Sequence, residues 1–63
     1  MNKIKEYRLK AGLTQGQLAA KIKKSVPCIS QYENGVHVPP ILVAKKMANV
    51  LGCEWNKLFD EDG

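Results

Sequence analysis

The sequence predicts a compact all-α domain of five short helices over residues 1–63, and three observations carry that expectation. No segment alternates apolar and polar residues as a half-buried strand does. Helix caps and stop signals punctuate the chain at short, regular intervals. The 63 residues, 44% of them apolar, supply one modest core rather than two.

The first helix is expected over about 3–11, with Asn2 able to cap it and Gly12 stopping it. Ile4, Tyr7, Arg8 and Ala11 fall at i, i+3, i+4 and i+7 on one face. Thr14 and Gln17 then form a capping box: the Thr14 hydroxyl accepts from the Gln17 N–H while the Gln17 side chain reaches back to the Thr14 N–H. Leu13 and Leu18 flank the box as a hydrophobic staple, and a second helix over 15–22 follows. Ser25 caps a third helix over 26–34. Pro27 lies in its first turn, where a missing N–H costs nothing. Ile29 and Tyr32 point it inward, and Asn34-Gly35 ends it. Val36 to Pro39 reads as an extended connection. Pro40 opens a fourth helix over 40–51, with Ile41, Ala44, Ala48 and Leu51 as its apolar stripe and Met47 beside it. A fifth helix over 54–59 carries Trp55, Leu58 and Phe59 inward, and Asp60-Glu61-Asp62-Gly63 form a frayed end.

Composition narrows the function. The longest apolar run is Ile41-Leu42-Val43-Ala44, far short of the roughly 20 residues a membrane span needs. Nothing at the N-terminus resembles a targeting peptide, so the expected setting is the cytoplasm. Cys28, Cys53 and the lone His37 have no metal-ligand spacing, and a cytosolic chain keeps both thiols reduced. Cys53 reads as a small core residue. Neither a nucleophile with a base nor a glycine-rich phosphate loop is present, so no enzyme activity, cofactor or metal is expected.

Net charge is +4, unevenly spread. Met1 to Val50 holds nine bases and two acids, whereas Leu51 to Gly63 holds one base and four acids. A basic working surface beside an acidic tail is one explanation; lysines that keep a small domain soluble are the other.

Two short helices joined by a three- to four-residue turn make a helix-turn-helix on geometry alone. Leu13-Thr14-Gln15, Leu18-Ala19, Ile29-Ser30-Gln31-Tyr32-Glu33-Asn34-Gly35, Pro39 and Leu51-Gly52 resemble the phage repressor/Cro-like helix-turn-helix family of XRE-type transcriptional regulators. The resemblance covers about residues 4–59. It implies the lambda repressor-like DNA-binding fold, with Ala19 at the close helix crossing and Arg8 and Glu33 as a buried or half-buried ion pair. Lys23 and Lys24 stand where the family carries Gly and an apolar residue. That departure predicts a wider turn, or a longer second helix.

The resemblance also implies how DNA is held. The third helix enters the major groove, so Val26, Pro27, Ser30 and Gln31 become base readers with Cys28 at the margin. Gln31 suits adenine, and Val26 and Pro27 suit thymine methyl groups or merely fix the helix start. Thr14 and Gln15 on one side, and Asn34, Gly35 and Val36 on the other, become backbone contacts, with His37 near and Lys10 adding attraction. Related proteins bind as dimers, which would use Leu42, Val43, Val50, Trp55 and Phe59 unless these merely cover the core. The partner implied is a double-stranded operator in a bacterial or phage setting, and the activity is repression. The rival class is a protein-interaction module, such as an antitoxin that binds its partner through the fourth and fifth helices.

Overall fold

The computed structural model describes residues 2–59: four α-helices followed by one 3-10 helix, with no strand among the described residues. α1 covers Ile4–Lys10, α2 Gln15–Ile22, α3 Val26–Glu33 and α4 Ile41–Leu51; the 3-10 helix covers Trp55–Phe59. The all-α class agrees with expectation, but the count of five α-helices needs correction. Five residues are too few to repay α-helix nucleation, and tighter i to i+3 bonding closes the segment instead. Lys3, Ala11, Asn34 and Pro40 cap their helices rather than belonging to them. The expected frayed end, Asp60-Glu61-Asp62-Gly63, lies outside the described residues.

Local chemistry explains the boundaries. The capping box forms as the sequence predicts: the Gln17 N–H donates to Thr14 Oγ1 at 3.0 Å, and the Thr14 N–H donates to Gln17 Oε1 at 2.8 Å. At the start of α3 the Cys28 N–H donates to Ser25 Oγ at 3.3 Å. Asn2, one residue before the Lys3 N-cap, still serves the start of α1, with Oδ1 accepting from the Ile4 N–H at 3.1 Å, while its Nδ2 donates to the Tyr32 carbonyl at 2.7 Å. The Lys3 N–H donates to the Leu58 carbonyl at 2.8 Å, joining the two ends of the fold.

The turn between α2 and α3 is not widened by Lys23, nor is α2 lengthened. Lys23 takes the left-handed conformation (φ 59°, ψ 45°) and ends α2 directly after Ile22. That backbone costs a residue with a Cβ roughly 1–2 kcal/mol. The Lys24 N–H reaching Ala19 O at 2.8 Å, and the Lys23 N–H reaching Ala20 O at 3.3 Å, offset part of the cost by satisfying terminal carbonyls.

Around this turn the core assembles. Ile4, Leu18, Ile29, Met47 and Leu58 are fully buried, with Ile22, Tyr32, Ala48 and Leu51 around them. α2 packs on both α3 and α4, and α1 packs on α3 and the 3-10 helix. Buried Ala19 supplies the small side chain on the face of α2 that meets its neighbours. Two stripe assignments need correction. Ile41 is 57% exposed because it occupies the first turn of α4, one turn before the core begins at Ala44; Met47 is central instead. Trp55 is 37% exposed rather than inward, its ring meeting Phe59 edge-on at 6.4 Å, while Leu58 fills the core position.

Candidate nucleic-acid interface

A buried polar network fixes the inner side of α3. The Arg8 Nε donates to Glu33 Oε2 at 2.5 Å, Nη2 lies 3.4 Å from Glu33 Oε1, and Nη1 donates to the Leu13 carbonyl at 2.8 Å. Both charged residues are buried. Gln15 Nε2 donates to Glu33 Oε1 at 3.0 Å, so the carboxylate also holds the first residue of α2. One carboxylate thereby joins α1, the N-terminus of α2 and the C-terminus of α3. The ion pair agrees with expectation; its extension to Gln15 and Leu13 was not foreseen, because amide orientation has no sequence signature. No buried side-chain nitrogen or oxygen among the described residues lacks a partner.

The outer side of α3 is open. Val26, Pro27 and Gln31 are exposed and Ser30 is half-buried. Gln31 makes no side-chain hydrogen bond, whereas Ser30 Oγ accepts from Asn34 Nδ2 at 3.3 Å and keeps its own O–H. The start of α2 lies alongside. A Cβ built on Gly16 would lie 3.8 Å from Val26 Cγ2, so the two helix starts meet with only a hydrogen on the α2 side. No acidic residue stands in the first turn of α2, and the Gln15 and Gly16 N–H groups precede the first internal bonds.

The segment after α3 turns its N–H groups inward. The N–H groups of Asn34, Gly35 and Val36 donate back to the carbonyls of Ser30, Tyr32 and Gln31 at 3.0, 3.3 and 2.9 Å. These donors serve the helix end, with Gly35 at φ +74° supplying the left-handed residue. What remains for an outside partner is the second Asn34 amide hydrogen and the exposed His37 ring. The Tyr32 phenol, also on α3, is held above its ordinary pKa, first by hydrogen bonding to the Cys28 thiol and then by burial. Burial likewise raises the Cys53 thiol, and both cysteines are free.

Residues 4–58 match the family described as helix-turn-helix, a span that takes in all four α-helices and all but the last residue of the 3-10 helix. The chain belongs to that family. α2, the turn at Lys23 and α3 form the helix-turn-helix, with α3 buried on its inner side and open on its outer side. The chain is 42% identical over 52 residues to a protein of Aeropyrum pernix provisionally named an HTH-type transcriptional regulatory protein. That match takes in 82% of this chain but only 16% of the Aeropyrum protein. It is 31% identical over 58 residues to the uncharacterized HTH-type transcriptional regulator YqaF of Bacillus subtilis, covering 92% of this chain and 76% of that protein. An uncharacterized HTH-type transcriptional regulator of Methanothermobacter thermautotrophicus is 35% identical over 63 residues, covering 95% and 91%.

The apolar residues suggested for pairing are dispersed. Leu42 is 75% exposed and Trp55 is partly so, whereas Val43, Val50 and Phe59 pack against the core. Val36, Val38 and Ile41 are exposed beside Leu42, a feature absent from the sequence-based expectation. Its signal was available: Pro39-Pro40 holds the segment extended, so its apolar side chains cannot all turn inward. No described helix is long and apolar enough to cross a membrane. No group of three or more His, Cys, Asp or Glu that could hold a metal occurs among the described residues.

Proposed function

We propose that this helix-turn-helix protein is a sequence-specific regulator of transcription that binds double-stranded DNA and reads the major groove with α3. The observation that carries this reading is the contrast across α3: Arg8 and Glu33 immobilise its inner side, while the side chains of Val26, Pro27 and Gln31 stand exposed with no hydrogen bond among the described residues. Rigid presentation of unpartnered side chains suits base reading, since little conformational entropy is lost on binding. Gln31 offers both a donor and an acceptor to adenine N6/N7, and Ser30 adds one O–H.

Backbone phosphates are held on two sides. The Gln15 and Gly16 N–H groups and the second Gln15 amide hydrogen serve one; the Thr14 O–H can join them. Asn34, Gly35 and Val36 run along the other, where Asn34 Nδ2 donates and His37 lies near. Lys21, Lys23 and Lys24, all exposed, supply long-range attraction. The protein acts as a cytoplasmic repressor, because a protein seated on an operator blocks it by occupancy alone. One recognition helix reads few base pairs, so two copies occupy half-sites about 34–36 Å apart, with Leu42 and Trp55 the most accessible of the suggested pairing residues.

Selection of bound duplexes from a random pool, followed by a salt titration, tests this. The expected result is an enriched palindromic sequence whose log affinity falls against log salt by about 0.9 per phosphate neutralised. Replacing Gln15 and Gln31 together by Ala should abolish the salt-sensitive binding. Absence of salt-sensitive duplex binding overturns the proposal and leaves a protein-binding role through the Leu42 surface.

A further inference from the structure

The start of α3 is poor in hydrogen-bonding groups to an unusual degree for a surface that meets base edges. Helix starts present N–H donors outward. Here Pro27 has no N–H, the Cys28 N–H is bonded to Ser25 Oγ, and the Ile29 N–H is bonded to Ser25 O. The Val26 N–H and the Ser25 O–H are the donors left at this tip, and the Ser25 oxygen already accepts one bond in the cap. What is presented is the Val26 isopropyl group, 44% exposed, with the exposed Pro27 ring beside it. Gly16 keeps the flank of Val26 clear: a Cβ there would come to 3.8 Å from Val26 Cγ2, so larger side chains would cover the methyl surface.

A base edge that meets this tip gains little by offering a donor or an acceptor. The apolar group available in the major groove is the pyrimidine C5-methyl. We infer that Val26 and Pro27 read the C5-methyl group itself rather than the identity of the base, so that thymine and 5-methylcytosine are equivalent there and both are preferred to uracil and unmodified cytosine. Cytosine methylation within an operator half-site would then strengthen binding by this protein. This inference rests on the DNA-binding role proposed above, with α3 in the major groove.

The experiment uses the full chain and the duplex enriched by selection. Each thymine is replaced in turn by deoxyuridine, which removes one methyl and leaves base pairing intact. At one or two positions per half-site affinity should fall about fourfold, equivalent to about 0.8 kcal/mol for a buried methyl-sized group. At those same positions a 5-methylcytosine·guanine pair should bind about fourfold more tightly than the cytosine·guanine pair. Val26→Ala, checked for a native circular-dichroism spectrum, should lose most of that sensitivity at one of them. If the selected duplex binds with its salt dependence intact but no deoxyuridine substitution matters, methyl reading is wrong and the DNA-binding role stands. If no duplex is bound in a salt-dependent way, both are wrong.

Discussion

The two sides of α3 are made from the same eight residues and behave as different materials. Inward, Ile29, Tyr32 and Glu33 are buried, and Glu33 is bonded to Arg8 and Gln15. Outward, Val26, Pro27 and Gln31 are exposed without side-chain hydrogen bonds inside the protein. The inner residues determine where the helix lies; the outer ones are free to be changed without disturbing it. A binding specificity can therefore be altered on this scaffold at little cost in stability.

The largest expected effect attacks the inner side. Arg8→Ala leaves Glu33 buried and unpaired, and should cost about 3–5 kcal/mol, read as a lower denaturant midpoint. A midpoint within error of the parent protein would show that the carboxylate does not anchor α3. Gln31→Ala tests the outer side. Affinity for a site containing its adenine should drop by about 1–3 kcal/mol, while stability changes by no more than about 0.5 kcal/mol. A comparable loss of stability would erase the distinction between the two sides.

A smaller effect lies in the turn that sets the angle of α3. Lys23→Gly removes a left-handed penalty of roughly 1–2 kcal/mol and adds a backbone entropy cost of about 0.5–1 kcal/mol. The net gain of about 0.5–1 kcal/mol should raise the melting temperature by a few degrees. A lower melting temperature would mean that the lysine side chain makes a stabilising contribution of its own.

The smallest effect is alkaline. The Cys53 thiol and the Tyr32 phenol are both raised above their ordinary values of 9.0 and 10.0, so the folded protein holds these protons longer than the unfolded chain. Their contribution is complete at neutral pH and is lost as pH rises past about 9 and then 10. Denaturant midpoints measured from pH 7 to pH 11 should fall in that window, and Cys53→Ser should remove the earlier part. A midpoint that rises above pH 9 would contradict the sign.

Much of this architecture was legible locally. Thr14 with Gln17, Ser25 with Pro27, and Gly52 each act through neighbours in sequence, so caps and stops follow from residue type. The Arg8–Glu33 pair came from resemblance, since nothing local links residues 25 apart in sequence. Ile41 shows the limit of periodicity: it continues the stripe of α4 but overhangs the core, and spacing alone does not say where a neighbouring helix ends. Gly35 and Val36 show a second limit. Their position after α3 was legible, but the direction of their N–H groups depends on how α3 terminates. Lys23 shows a third, because the bonds from Lys23 and Lys24 to the end of α2 let a residue with a Cβ occupy a position that steric preference alone assigns to glycine.

The bond from the Lys3 N–H to the Leu58 carbonyl, with Asn2 tied to the Tyr32 carbonyl, has a mechanical consequence. Tension applied at residues 2 and 59 would load the Lys3–Leu58 bond first and, through Asn2, would pull directly on the C-terminal half of α3. Stretched between two tethers, the domain would open from its ends.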